Sequence, residues 1–141
     1  MYTTLTPRLV VSDVDAAIAF YQAVLEAVPG MRLATPDGVV VHAEIDVAGL
    51  RMSLTQATGP ESQSPLDLGG SPVLLTLMCD PDAVAARAVA HGAELVFPVD
   101  DRFYGMRDGR FRDPFGHLWL VTRTLEHLDE GELNKRTAEV M

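Results

Sequence analysis

An internal repeat limits the fold of this chain more than any other feature of its sequence. An apolar run leads to Asp13 in the first half, and a similar run leads to Asp80, 67 residues later. The same offset of 67 relates Gly49 to Gly116, each of which precedes a strand-like run. Because one offset aligns both a helix start and a late turn, the sequence predicts two copies of one module.

Within each copy, the periodicity of apolar residues predicts one strand, one helix and then three strands. The spacing predicts a first strand at 5–11 and an apolar helix face from Val14 to Val28, ended by Pro29 and Gly30. The second copy has a helix start at Asp80-Pro81 and a left-handed stop at Gly92. Further strands are predicted at 39–47, 50–55, 73–78, 94–97, 106–112 and 117–124.

This order predicts an α+β fold, in which two tandem βαβββ modules form curved mixed sheets around a cavity. The chain of 141 residues is then one domain with four parts. They are a first module at 1–56, a linker rich in Gly, Pro and Ser at 57–72, a second module at 73–124 and a helical tail at 125–141.

The charge balance excludes some partners. Eleven basic and twenty acidic residues give a net charge of −9, which disfavours nucleic acid and anionic membrane surfaces because both require basic side chains. The same charge favours a cationic ligand. The single cysteine, Cys79, excludes an intrachain disulfide, and no apolar run reaches membrane-spanning length. We therefore expect a cytoplasmic protein with a buried, unreactive thiol.

Several motifs resemble the vicinal oxygen chelate superfamily, which includes glyoxalase I, extradiol dioxygenases and bleomycin-resistance proteins. The stretches that carry the resemblance are Leu9–Tyr21 and Arg112–His117. The chain is similar to the PhnB-like branch of that superfamily at His42–Ile45, Asp101–Arg110 and Asp113–Trp119. The resemblance covers nearly the whole chain and implies the glyoxalase/bleomycin-resistance fold.

Enzymes of that superfamily hold a divalent metal through four inward side chains. The resemblance implies that these positions are Thr6, Ser53, Leu120 and either Val73 or Leu74. None of these carries an imidazole, a carboxylate or an amide, which are the donors that such metals require. The sequence therefore predicts neither a metal nor another cofactor.

His42 and Glu44 are the candidate catalytic residues. Alternation over 39–47 places both on one strand face with Val40 and Asp46. One interpretation is a partly solvated polar face with a structural role. In the other, the face turns inward and the pair performs general acid–base chemistry.

Strand parity also predicts which side chains line the cavity. From the first module these are Thr6, Arg8, Arg51, Ser53 and Thr55, and from the second they are Leu74, Thr76, Met78, Leu118 and Leu120. Phe103 and Tyr104, on a loop, are candidates for stacking on a flat ligand. Arg107, Arg110 and Arg112 are expected to form a local charge network with Asp108 and Asp113, and His117 and Trp119 to be structural.

Three functions remain open at this point. The first is a metal-independent small-molecule binder of the bleomycin-resistance type, which sequesters or senses its ligand and can confer antibiotic resistance. The second is a glyoxalase-like lyase or isomerase that uses His42 and Glu44. The third is a protein-interaction module that uses the tail. We also expect a homodimer, because βαβββ modules leave sheet edges and cavity mouths that a second chain commonly covers.

Overall fold

Both halves of the chain fold as strand, helix and three strands, as predicted. The computed structural model describes residues 1–141. The first half contains β1 Arg8–Val11, α1 Val14–Leu25, β2 Val28–Ala34, β3 Val40–Val47 and β4 Leu50–Gln56. The second half contains β5 Leu74–Met78, α3 Pro81–Ala90, β6 Glu94–Asp101, β7 Met106–Arg112 and β8 Leu118–Thr124. Two further helices are α2 Pro65–Leu68 and α4 Glu130–Val140.

The two halves form separate four-stranded sheets with equivalent strand orders. Sheet 1 has the order β1-β4-β3-β2, and sheet 2 has the order β5-β8-β7-β6. The first strand of each half runs parallel to the last, and all other pairs are antiparallel. These mixed sheets confirm the α+β fold of two βαβββ modules.

Both long helices of the modules begin where the sequence predicts. The carboxylate of Asp13 accepts a hydrogen bond from the Ala16 amide at 3.1 Å, and that of Asp80 accepts one from Ala83 at 3.4 Å. Each side chain thereby satisfies one of the free amides of a first helical turn.

The predicted end of α1 at Pro29-Gly30 is wrong. The helix ends at Leu25, because Glu26 adopts a left-handed conformation (φ 57°) and its amide, like that of Ala27, bonds to the carbonyl of Tyr21. Val28, Pro29 and Gly30 belong to β2 instead. A proline is tolerated there because β2 lies at the edge of sheet 1.

One hydrophobic core of 23 buried residues joins the two halves. The helix-bearing face of each sheet points into it. At its centre, Tyr21 of α1 donates a hydrogen bond to Oδ2 of Asp113 at 2.5 Å, and Trp119 of β8 donates to the same oxygen at 3.0 Å. The other oxygen of Asp113 accepts from the amides of Phe115 and His117. Burial, together with the neighbouring Asp113 carboxylate, raises the pKa of Tyr21 well above its usual value.

The predicted linker and tail both pack on the second half. In the linker, Ser64 and Asp67 form a reciprocal cap on α2, and Pro65 lies where a Cβ on Gly116 (φ +91°) would come within 2.7 Å of it. The tail is helical from Glu130 onward. None of the four helices has the length and apolar character that a membrane crossing requires.

Candidate functional site: the open faces of the two sheets

Each sheet has a second face that no helix covers, and we call these the open faces. The open face of sheet 1 carries six residues of the predicted site, which are Arg8, His42, Glu44, Arg51, Ser53 and Thr55. The open face of sheet 2 carries five more: Leu74, Thr76, Met78, Leu118 and Leu120. The shared core occupies the opposite side of both sheets. Within one chain, the predicted ligand-binding residues therefore divide between two separate faces.

The register of β3 differs from the prediction at one residue. Leu33 pairs with His42 and Ala34 with Val40, so that Val41 forms a bulge. The sequence predicted Val40 on the same face as His42. Because of the bulge, Val40 is instead buried in the core. The carbonyl of Val41 accepts hydrogen bonds from Arg8 and Thr55, both at 2.9 Å.

Arg8 fixes the orientation of His42 on the open face of sheet 1. Its Nη1 lies 2.8 Å from Nδ1 of His42 and 3.3 Å from the hydroxyl of Ser53. A guanidinium has only donors, so Nδ1 of His42 must accept. The neutral ring then carries its proton on Nε2, which lies 3.4 Å from Oε2 of Glu44.

Glu44 continues this polar chain toward the edge of the face. Its other oxygen lies 3.7 Å from Arg51, which also pairs with Asp46 at 3.0 Å. The side chains of His42 and Glu44 are 28% and 22% exposed. A substrate can therefore reach them, but both nitrogens of His42 are already engaged.

The positions that the superfamily uses for metal do not form a donor set here. Thr6 precedes β1 and is exposed instead of facing inward on a strand. Leu74 rather than Val73 lies on the open face, opposite Leu118. No three His, Cys, Asp or Glu side chains are grouped so that they could hold a metal ion. Because hydroxyl and aliphatic side chains are poor ligands, this site does not fit the metal of the superfamily.

A cavity of about 260 Å³ lies on the open face of sheet 2. Its walls include Leu120 and Tyr104, two residues of the predicted site. The hydroxyl of Tyr104 donates to Oδ2 of Asp108 at 2.5 Å, and Arg102 pairs with Oδ1 at 2.9 Å. Burial, followed by the hydrogen bond to Asp108, raises the pKa of Tyr104 to about 12.

Arg110 forms the remaining charged wall of this cavity. Its Nε is the only buried side-chain nitrogen or oxygen in the chain that lacks a hydrogen-bond partner. Its guanidinium carbon lies 5.1 Å from the ring centre of Phe97, a cation–π contact. The sequence did not single out Arg110 or Phe97 as site residues. The hairpin turn at 113–117 offered a signal, since it pairs Arg110 with Leu120 and so places Arg110 inward.

The predicted local network of arginines and aspartates is wrong. Arg107 reaches across the other side of the sheet to Asp82 and Asp101, and Arg112 pairs with Glu94. These acidic partners belong to β6 and α3. The spacing of charges along β7 contains no information about residues in other elements, so it could not predict them. Arg110 is left without an ion pair.

The loop that carries Tyr104 is held by the tail. Arg136 of α4 donates to the carbonyl of Phe103 at 3.0 Å, and the amides of Leu125 and Glu126 donate to that of Gly105. Phe103 was a predicted stacking residue, but its ring packs edge-on against Tyr104 at 5.1 Å and does not line the cavity. The tail thus adjoins the wall of the cavity.

His91, His117 and the cysteine have structural surroundings. His117 is buried and its Nε2 lies 2.9 Å from the carbonyl of Val10, while His91 caps α3. Cys79 is half-buried beside a cavity of about 440 Å³. Burial raises the pKa of its thiol, which makes it a poor nucleophile.

Comparison with known families identifies one match. The model of the Glyoxalase/Bleomycin resistance protein/Dioxygenase superfamily matches residues 3–121. An uncharacterized protein of Mycobacterium bovis is 37% identical over 134 residues, which cover 92% of this chain and 88% of that protein.

Solved structures share the architecture. A gene product from Arabidopsis thaliana is 25% identical with a TM-score of 0.72, over 87% of this chain and 100% of that one. The fosfomycin resistance protein FosX from Listeria monocytogenes, complexed with Mn(II) and sulfate, is 20% identical with a TM-score of 0.67, over 97% and 99% of the two chains. At that identity the likeness to FosX shows the fold alone.

Proposed function

Because this chain belongs to the Glyoxalase/Bleomycin resistance protein/Dioxygenase superfamily, we propose that it binds a small molecule noncovalently on the open face of sheet 2. The observation that carries the proposal is the cavity beside Arg110, whose buried Nε has no partner in the chain. An unsatisfied buried donor costs about 1–3 kcal/mol. Such a cost marks a position with a functional role, and the part of Arg110 that lines the cavity is available to a ligand.

The binding that we propose does not depend on a metal ion. Ser53, Leu74 and Leu120 occupy positions where the superfamily needs donors, and they supply at most a hydroxyl. Binding then relies on apolar contact and a few placed polar groups, which is the usual composition of a small-molecule site. This arrangement supports a sequestering role of the bleomycin-resistance type in the cytoplasm, where the free Cys79 stays reduced.

We also propose that the protein acts as a homodimer. Each chain leaves two open faces uncovered, and exposed apolar residues such as Met78 and Phe97 lie on the open face of sheet 2. A second copy that covers these faces would exclude water from the cavity. Sedimentation at micromolar concentration tests this proposal, and a monomer alone would contradict it.

A second candidate function is acid–base catalysis by His42 and Glu44. The contact between their side chains, at 3.4 Å on a solvent-accessible face, favours it. The hydrogen bond from Arg8 weighs against it, because it occupies the ring nitrogen that would accept a substrate proton. Unaltered turnover in a His42→Ala variant would remove His42 as the base, because loss of a general base lowers the rate by about 100-fold or more.

Native mass spectrometry of the purified protein, combined with metal analysis, tests the main proposal. We expect no stoichiometric metal, whether or not an organic molecule co-purifies. Stoichiometric zinc, nickel, manganese or iron would overturn metal-independent binding. The fluorescent probe 1-anilinonaphthalene-8-sulfonate then locates the site. Leu120→Gln should weaken probe binding several-fold, whereas Val89→Gln, an equivalent change on the exposed side of α3, should not. Equal effects of the two changes would contradict the assigned location.

A further inference from the structure

We infer that this cavity selects a small amphipathic monocarboxylate, with Arg110 as the group that holds the carboxylate. The inference rests on the proposed binding function and adds the chemical class of the ligand. It departs from the cationic ligand that the net charge of −9 favours. A ligand in the cavity is in contact with the charges that line the cavity, rather than with those of the whole surface.

The charged residues that line the cavity are Arg102, Asp108 and Arg110. Asp108 is nearly buried, with a side chain 6% exposed, and it is paired with Arg102 at 2.9 Å. Its second oxygen accepts from Tyr104, so that Asp108 has little capacity left for a ligand. Arg110 contributes a second positive charge and forms no ion pair. The cavity wall therefore has an excess charge of one guanidinium.

The guanidinium of Arg110 has a geometry that suits a carboxylate. Its planar set of donors matches the two oxygens of a carboxylate. The Phe97 ring lies against it and screens it from water on one side, which strengthens a charge-assisted hydrogen bond made there. A dianion such as a phosphate monoester is disfavoured, because the Asp108 carboxylate lines the same cavity and repels a second negative charge.

An apolar surface lies beside Arg110 on the open face of sheet 2. Leu120 pairs with Arg110 on the neighbouring strand, and Thr76 follows on the next strand across. Leu118 and Leu74 continue the same face one position along. A ligand whose carboxylate meets Arg110 can thus lay a flat hydrocarbon body over these side chains. Of these apolar side chains only Leu120 lines the cavity of about 260 Å³, so the body of the ligand extends from the cavity over the open face, which suits a body of one or two rings.

The test compares three naphthalene compounds that differ only in one polar group. They are naphthalene-2-carboxylate, naphthalene-2-carboxamide and 2-naphthylmethylammonium, each titrated into the full-length protein by NMR. We expect the carboxylate to bind about 10- to 100-fold more tightly than the carboxamide, which is the range for one charged hydrogen-bonding contact. In Arg110→Met the difference should disappear, while binding of the carboxamide persists. Arg112→Met, a change two residues away that removes an arginine already paired with Glu94, should keep the preference.

The outcomes separate this inference from the proposed function. Absence of binding by all three compounds at millimolar concentration would overturn the proposed cavity itself. Equal binding of carboxylate and carboxamide would support the cavity and overturn the selection by Arg110. Tighter binding of the ammonium compound would overturn it in favour of a cationic ligand. The ranking in the unaltered protein decides the case, so the conclusion does not depend on whether the Arg110→Met variant folds.

Discussion

Arg8 and His42 form a hydrogen bond of 2.8 Å on the open face of sheet 1. Because the guanidinium can only donate, the bond fixes the ring with Nδ1 unprotonated and Nε2 protonated in the neutral state. Nδ1 is thereby withdrawn from both metal coordination and proton abstraction. The face combines a histidine and a glutamate, but both already contact neighbouring side chains, since Arg8 bonds to His42, and Glu44 lies against both His42 and Arg51.

The tautomer of His42 can be observed directly. At a pH where the ring is neutral, nitrogen NMR should show Nε2 carrying the proton. Arg8→Met should release Nδ1 and let the two tautomers mix. His127, which lies in the exposed tail without a hydrogen bond from its ring, provides the reference spectrum. A protonated Nδ1 in the unaltered protein would contradict the assignment.

Asp113 should be among the most costly residues to replace. Asp113→Ala leaves Tyr21, Trp119 and two backbone amides without their acceptor. Since a buried network loses several partners at once, we expect the free energy of unfolding to fall by about 3–5 kcal/mol in urea denaturation. Asp129→Ala removes a single exposed helix cap and should cost about 1 kcal/mol. Similar losses in the two variants would argue against Asp113 as the link between the halves.

Arg110→Met should stabilise the protein in the absence of ligand. The change removes a buried donor without an acceptor and retains most of the apolar stem, so we expect a gain of about 1–3 kcal/mol in the free energy of unfolding. Arg112→Met breaks an exposed ion pair with Glu94, and its effect should stay within about 1 kcal/mol. A clear loss of stability in Arg110→Met would show that the cation–π contact with Phe97 outweighs the cost of the unsatisfied donor.

Tyr104 should make stability depend on pH in the alkaline range. Its pKa of about 12 in the folded protein exceeds the usual value near 10. The unfolded chain therefore releases this proton first, and the contribution of Tyr104 to stability is complete below about pH 10 and lost as the pH rises toward 12. Tyr104→Phe should remove this part of the pH dependence, as followed by denaturation at a series of pH values.

Asp108→Asn provides a second readout of the same contact. It should bring the pKa of Tyr104 closer to its usual value, which phenolate absorbance at 295 nm reports. Asp100→Asn changes an exposed aspartate of β6 that forms no contact with Tyr104 and should leave the titration unaltered. A titration that is identical in all three proteins would refute the contact.

The tail should influence the cavity through the Tyr104 loop. Arg136→Ala removes the hydrogen bond to the carbonyl of Phe103, so we expect faster amide hydrogen exchange over 102–105. Because Tyr104 lines the cavity, binding of the anilinonaphthalene sulfonate probe should also weaken by a few-fold. Lys135→Ala, on the exposed side of α4, should change neither. A normal loop in a chain truncated at Leu125 would show that the tail has no such role.

The sequence predicted local structure well where one residue type decides it. Asp13 and Asp80 cap their helices as expected, since a short acidic side chain satisfies the first free amides wherever the helix lies. The end of α1 was missed, because the left-handed Glu26 carries no glycine signal and Pro29 is accommodated by an edge strand. Alternation in β3 was correct from His42 to Val47 and failed at Val40, because nothing in the composition of 39–42 marks the bulge.

By itself, the sequence determined the repeated module, the positions of its helix starts and the facing of most strand residues, because these follow from periodicity and capping over a few neighbours. Only the tertiary structure decided that the helix-bearing faces share one core and that the two open faces lie apart. It also decided that Arg110 lacks an ion pair while Arg102, Arg107 and Arg112 each have one. These properties depend on contacts between residues far apart in the chain, such as Tyr21 with Asp113, and the distance between such residues in space is set by packing.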